Sequence, residues 1–157
     1  MRRGALFAAV LTLLAALSGC TVGDPPAEKT PAPTAEETAE QFLTLYYTAD
    51  ADGRYAALAA EAESAGEAYY APFAALTDQD CLENMQANRR PVAYDRAHQG
   101  KTVEVTDVSV GEPGAEQRRD FTVTVLVDGQ EEVYTGELAV TEGGAGPVVS
   151  YFWPDGI

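Results

Sequence analysis

One histidine, two cysteines and a set of tyrosines are the side chains of this chain best suited to chemistry near neutral pH. His98 is the only histidine, and imidazole is the side chain whose ordinary titration falls closest to neutrality. A general base needs an acid partner within a cleft, and a metal needs more ligands than one imidazole. His98 lies in a polar stretch between Asp95 and Lys101, which predicts an exposed loop or strand-end residue. A reactive thiol needs an electropositive, accessible setting. Cys81 instead has Asp78, Asp80 and Glu83 around it and Leu82 beside it, the pattern of a buried, inert thiol on a helix. Tyr46, Tyr47, Tyr55, Tyr70, Tyr94 and Trp153 combine ring surface with a polar tip, which suits a core whose hydroxyls reach the rim better than a ligand box. Asp50, Asp52 and Glu61 fall at the first, third and twelfth positions of a calcium loop, but Tyr55 stands where that loop needs glycine. No G-x-S-x-G, H-E-x-x-H or strand–glycine–helix phosphate cradle occurs. These motifs predict no catalytic residue, no metal and no cofactor.

The remaining cysteine belongs to a different pattern. Met1-Arg2-Arg3 is followed by an uncharged run from Gly4 to Leu17. That run is about 14 residues, short of the roughly 20 that a helix needs to cross the hydrocarbon core. A basic start, a short apolar run and small residues at its end mark a secretory signal. The closing residues Leu17-Ser18-Gly19-Cys20 resemble the lipobox of bacterial lipoproteins. The resemblance implies cleavage before Cys20 and a diacylglyceryl group on its thiol. Two acyl chains hold a protein to a membrane where one does so only marginally. The expected localisation is the outer face of the cytoplasmic membrane, or the outer membrane in a host that has one.

Residues 1–19 thus read as a signal peptide, 20–33 as a tether and 34–157 as one domain. Pro25, Pro26, Pro31 and Pro33 lie in a stretch with almost nothing to bury, the composition of an extended spacer. The chain carries 25 acids and 10 bases, a net charge of −15, and loss of Arg2 and Arg3 takes it to −17. Such a surface repels phosphate backbones and excludes nucleic acid as a partner.

The domain changes period halfway. Thr34 and Glu37 form a capping box, and Ala35, Ala39, Phe42, Leu43 and Tyr46 follow at helical spacing. Asp52 can cap a second helix carrying Tyr55, Leu58, Ala59 and Ala62. Pro72 predicts a broken helix or irregular lid around Tyr69, Tyr70 and Phe73. Thr77 and Asp80 begin a further helix, which Pro91 ends. From Val92 the period shortens to two. Val103 and Val105 alternate out of step with Val108 and Val110, which predicts a bulge near Thr106-Asp107. Phe121 to Val127 alternates cleanly, Asp128-Gly129 signals a hairpin, and Val149, Tyr151 and Trp153 alternate on a last strand. The expected fold class is α+β, with two or three N-terminal helices packed on a curved four-stranded antiparallel sheet.

That order, from about Thr34 to Pro154, is similar to the NTF2-like (cystatin-like) cone. The resemblance implies a sheet curled round the long first helix. Tyr46, Tyr70, Tyr94, His98 and Trp153 are the residues it offers as a cone lining. It also implies two kinds of function: isomerase- or dehydratase-type enzymes with a site inside the cone, and non-enzymatic binding modules. Without a catalytic motif, the expectation is a module binding an envelope protein or a small ligand, with a homodimer as the assembly that the fold suggests by analogy. A closed aromatic cavity with a buried carboxylate or imidazole at its base would favour an enzyme or ligand binder. A filled cone would favour an interaction surface.

Overall fold

The computed structural model describes residues 32–50 and 53–156. The export stretch, Cys20, all of the tether up to residue 31, and Asp52 lie outside the described residues. The first helix, α1 (Ala35–Tyr47), starts at the capping box. The Thr34 amide donates to the Glu37 carboxylate at 2.7 Å, and the Glu37 amide donates to Thr34 Oγ1 at 3.2 Å. The Thr34 backbone amide first, and the Thr34 hydroxyl second, hold the Glu37 carboxyl below its usual range. Ala39, Phe42, Leu43, Tyr46 and Tyr47 form its buried face.

Four further helices follow among the described residues: α2 (Arg54–Ala59), α3 (Ala65–Ala74), α4 (Gln79–Asn88) and α5 (Arg90–Ala97). They correct the two or three expected. The α2 helix stops before Ala62, and its amides at Tyr55 and Ala56 donate to Asp50 Oδ1 at 2.7 and 3.4 Å. Asp50 therefore serves the helix start. Pro72 does not break α3. It lies near the end of the helix on the solvent side, while Tyr69 and Phe73, four residues apart, bury the other face. Asp78, not Thr77, caps α4 by accepting from the Cys81 amide at 2.8 Å. Pro91 opens α5 instead of ending α4, because a first-turn residue needs no amide hydrogen. The break between the two helices is Arg89, whose φ of 55° is left-handed. Val92 is consequently helical, and the change to strand comes later.

The sheet runs β1 (Val103–Val110), β2 (Arg118–Val127), β3 (Gln130–Gly143) and β4 (Gly146–Pro154), all antiparallel and in sequence order. The fold is α+β, with α1 lying against the sheet. The first bulge falls between Val105 and Asp107, as the slipped valine pattern predicts. Asp128 and Gly129 turn with φ of 51° and 81°, the left-handed pair of a tight hairpin. Gly136 is fixed by close approach: a Cβ there would come within 2.8 Å of the Phe121 ring and of Pro154 Cα.

The last strand departs from the sequence reading. Val140 pairs with Val149 and Ala139 with Tyr151, so Ser150 is an extra residue. Beyond it the facing is reversed. Val149 and Phe152 are buried, whereas Trp153 is 47 % exposed.

Candidate functional site

The space between α1 and the sheet is filled by rings. Phe42 and Tyr46 meet Phe152 at 4.8 and 4.7 Å between centroids, and Tyr47 meets Tyr94 at 5.2 Å and Tyr134 at 5.0 Å. Phe121 stacks on Phe152 at 5.6 Å. Edge-to-face pairs of this kind add about 0.5–1.5 kcal/mol each beyond their burial. The five lining candidates separate here. Tyr46 and Tyr94 touch in the core, at 5.8 Å, and His98 lies against Tyr94 at 4.2 Å. Tyr70 is half-buried against Tyr69 and Phe73. Trp153 stands outside, with the Arg90 guanidinium 3.7 Å from its ring.

A buried carboxylate and a buried imidazole are both present, each engaged by neighbours. Pro91, Tyr94, Asp95 and His98, at helical spacing, are the buried residues of α5 and its cap. Asp95 is 1 % exposed. It accepts from the Asp50 amide at 2.9 Å and from the Tyr69 hydroxyl at 2.6 Å, and Arg54 Nε lies 3.9 Å away. Arg54 is itself tied to the Leu45 carbonyl at 3.1 Å and lies over the Phe73 ring at 5.0 Å. Burial raises the Asp95 carboxyl above its ordinary value, against the opposing pull of Tyr69, Asp50 and Arg54. Burial and the bond to Asp95 push the Tyr69 hydroxyl up.

His98 is 6 % exposed, not the loop residue that its polar neighbours predict, because it caps α5 against the sheet. Its Nδ1 lies 2.8 Å from the Tyr94 carbonyl, which assigns a proton to Nδ1. Nε2 lies 3.3 Å from the Tyr134 hydroxyl, and that hydroxyl donates to Glu132 at 2.6 Å. Burial first, and Glu132 second, raise the Tyr134 hydroxyl. Arg54, Asp95, Glu132 and Tyr134 are absent from the candidates drawn from the sequence. The spacing of Pro91, Tyr94, Asp95 and His98 was the signal for the α5 half of this cluster.

The opening with mixed aromatic and polar walls is a groove of about 390 Å³ between α4 and the edge of β4. The helix contributes Asp80, Cys81 and Asn84, and the strand contributes Ser150 to Trp153. Cys81 is buried as expected, and burial with the nearby Asp78 pushes its thiol up to about 12. It is a protonated wall residue, not a nucleophile. Among the described residues no group of three or more metal-ligating side chains is found, and no helix is long and apolar enough to cross a membrane. No protein-family model matches the chain, and no curated protein matches it either.

Proposed function

We propose that this chain is an extracytoplasmic lipoprotein held at a membrane through Cys20, and that its NTF2-like domain is a non-enzymatic interaction module. The observation that supports the module reading is the ring packing of the interior: Phe42 and Tyr46 meet Phe152 directly behind α1. Asp95 and His98, the groups an interior enzyme would use, are held by their neighbours: Asp95 accepts from Tyr69 and Asp50, and His98 Nδ1 is bonded to the Tyr94 carbonyl, with Nε2 3.8 Å from the Glu132 carboxylate. Recognition is then a task for the surface, and the groove beside β4 is the place on it where aromatic, polar and backbone groups converge. The anchor rests on the sequence Leu17-Ser18-Gly19-Cys20 and on the acyl-chain arithmetic given above.

The test is fractionation with intact-mass analysis. The native chain should sediment with membranes and begin at a diacylated Cys20. Cys20→Ala should appear in the soluble extracytoplasmic fraction with an unchanged melting curve. A Cys20→Ala chain that stays on the membrane, or a native product retaining Met1, would refute the anchor.

A further inference from the structure

Among the described residues, the outer edge of β4 leaves an amide and a carbonyl open at Phe152. The Val149 amide donates to the Leu76 carbonyl at 2.9 Å, and the Val149 carbonyl accepts from the Asp78 amide at 3.0 Å. The segment leading into α4 thus occupies the edge there, through a single parallel bridge at Thr77. At the other end the Asp155 amide donates to the Thr135 carbonyl of β3 at 2.8 Å. Backbone groups alternate along an antiparallel strand. Trp153 therefore turns its amide and carbonyl toward β3, while Phe152 turns its amide and carbonyl outward and Pro154, which has no amide hydrogen, its carbonyl. The Pro154 carbonyl accepts from Arg90 at 3.2 Å. The Phe152 amide and carbonyl face the groove, with no partner on that side among the described residues.

We propose that this groove receives an extended, basic peptide segment of a partner protein, added as a short strand beside Phe152; the proposal rests on the interaction-module reading. Strand addition draws affinity from main-chain bonds and specificity from the pockets around them. Here the Phe152 amide and carbonyl supply the main-chain pair. Trp153 supplies an exposed ring on the strand side, and Asp80 and Asn84 supply polar groups on the helix side. Charge selects the sign of the partner. Asp80 is the charged residue of the wall, and the whole chain carries −15. Arg90, the nearby cation, is already stacked on Trp153 and bonded to Pro154.

The probe is a fluorescent hexapeptide library in which Lys or Arg alternates with Val, Thr or Phe, set against a twin library carrying Glu in the basic positions. Both are titrated into the full chain in detergent. The basic library should bind at least tenfold more tightly than the acidic one and should slow hydrogen exchange at the Phe152 amide at least tenfold. Asn84→Trp fills the groove without changing charge and should weaken binding at least tenfold. Asp80→Asn should weaken it about threefold. Asn84 and Asp80 are exposed on α4, so a matching helical circular dichroism melt establishes that each variant folds. Equal binding to Asn84→Trp would reveal diffuse attraction to an acidic surface and overturn the proposal. So would a failure of both libraries, or a self-association that protects Phe152 and disappears in Asn84→Trp. An unlipidated Cys20 with peptide binding intact would remove the anchor and leave the groove; a lipidated chain that binds neither library would do the reverse.

Discussion

Behind α1, Phe42, Tyr46 and Phe152 meet one another ring to ring. On the outer side of β4, Trp153 and Tyr151 meet arginines instead, with Arg90 and Arg118 lying 3.7 and 4.2 Å from the respective rings. The same residue types do different work in the two places. Inside, the rings bury the hydroxyls of Tyr46 and Tyr47, which have no hydrogen-bond partner among the described residues. At the edge, rings hold cations beside solvent, where a partner can reach them. Aromatic content therefore does not mark a binding site; the face that a ring occupies does.

The most severe way to break the interior is Phe42→Ala. It removes a fully buried ring at the centre of the cluster and should lower stability by about 3–5 kcal/mol in urea unfolding. Asp95→Ala comes next, at about 3 kcal/mol, because it leaves the buried Arg54 without its carboxylate. Asp95 also gives a pH signature. Its carboxyl binds a proton more tightly in the folded chain than at the ordinary value of 3.8, so ionisation counts against folding. Its contribution is most favourable below 3.8, declines as pH rises to the folded midpoint, and is flat beyond it. The side-chain carboxyl carbon of Asp95, followed by NMR, should titrate with a midpoint above 3.8.

Tyr46→Phe sharpens the contrast with a gain. Deleting an unpartnered buried hydroxyl should stabilise the fold by about 1 kcal/mol, read from the same urea midpoints. The smallest effect belongs to the edge. Trp153→Ala loses a half-exposed ring and one cation–π contact and should cost about 0.5–1 kcal/mol. A loss at Trp153 as large as that at Phe42 would erase the distinction between the two regions.

Much of the scaffold was legible. The capping box at Thr34, the bulge beside Thr106, the Asp128-Gly129 hairpin and the burial of Cys81 all follow from local chemistry and all occur. Local signals failed where the outcome depended on neighbours distant in sequence. The helix-breaker rule misleads at both prolines: Pro91 sits in the first turn of α5, where no amide hydrogen is needed, and α3 continues through Pro72 on its solvent side. His98 has polar sequence neighbours, yet its burial is set by Tyr94 on its own helix and Tyr134 across on β3. The Asp95 cluster joins residues up to 45 positions apart, a distance over which spacing carries no information. The groove was equally hidden, since it exists only where α4 comes to lie along β4.

Ser150 acts as a parity switch. Were Ser150 paired in register instead of standing as the extra residue, strict alternation would run from Val149 through Tyr151 to Trp153, and the oily and wet sides of the strand beyond it would trade places. Trp153, the sole tryptophan, would rotate into the middle of the molecule while Phe152 swung out to the water. A single inserted residue thus decides which ring is hidden and which is displayed.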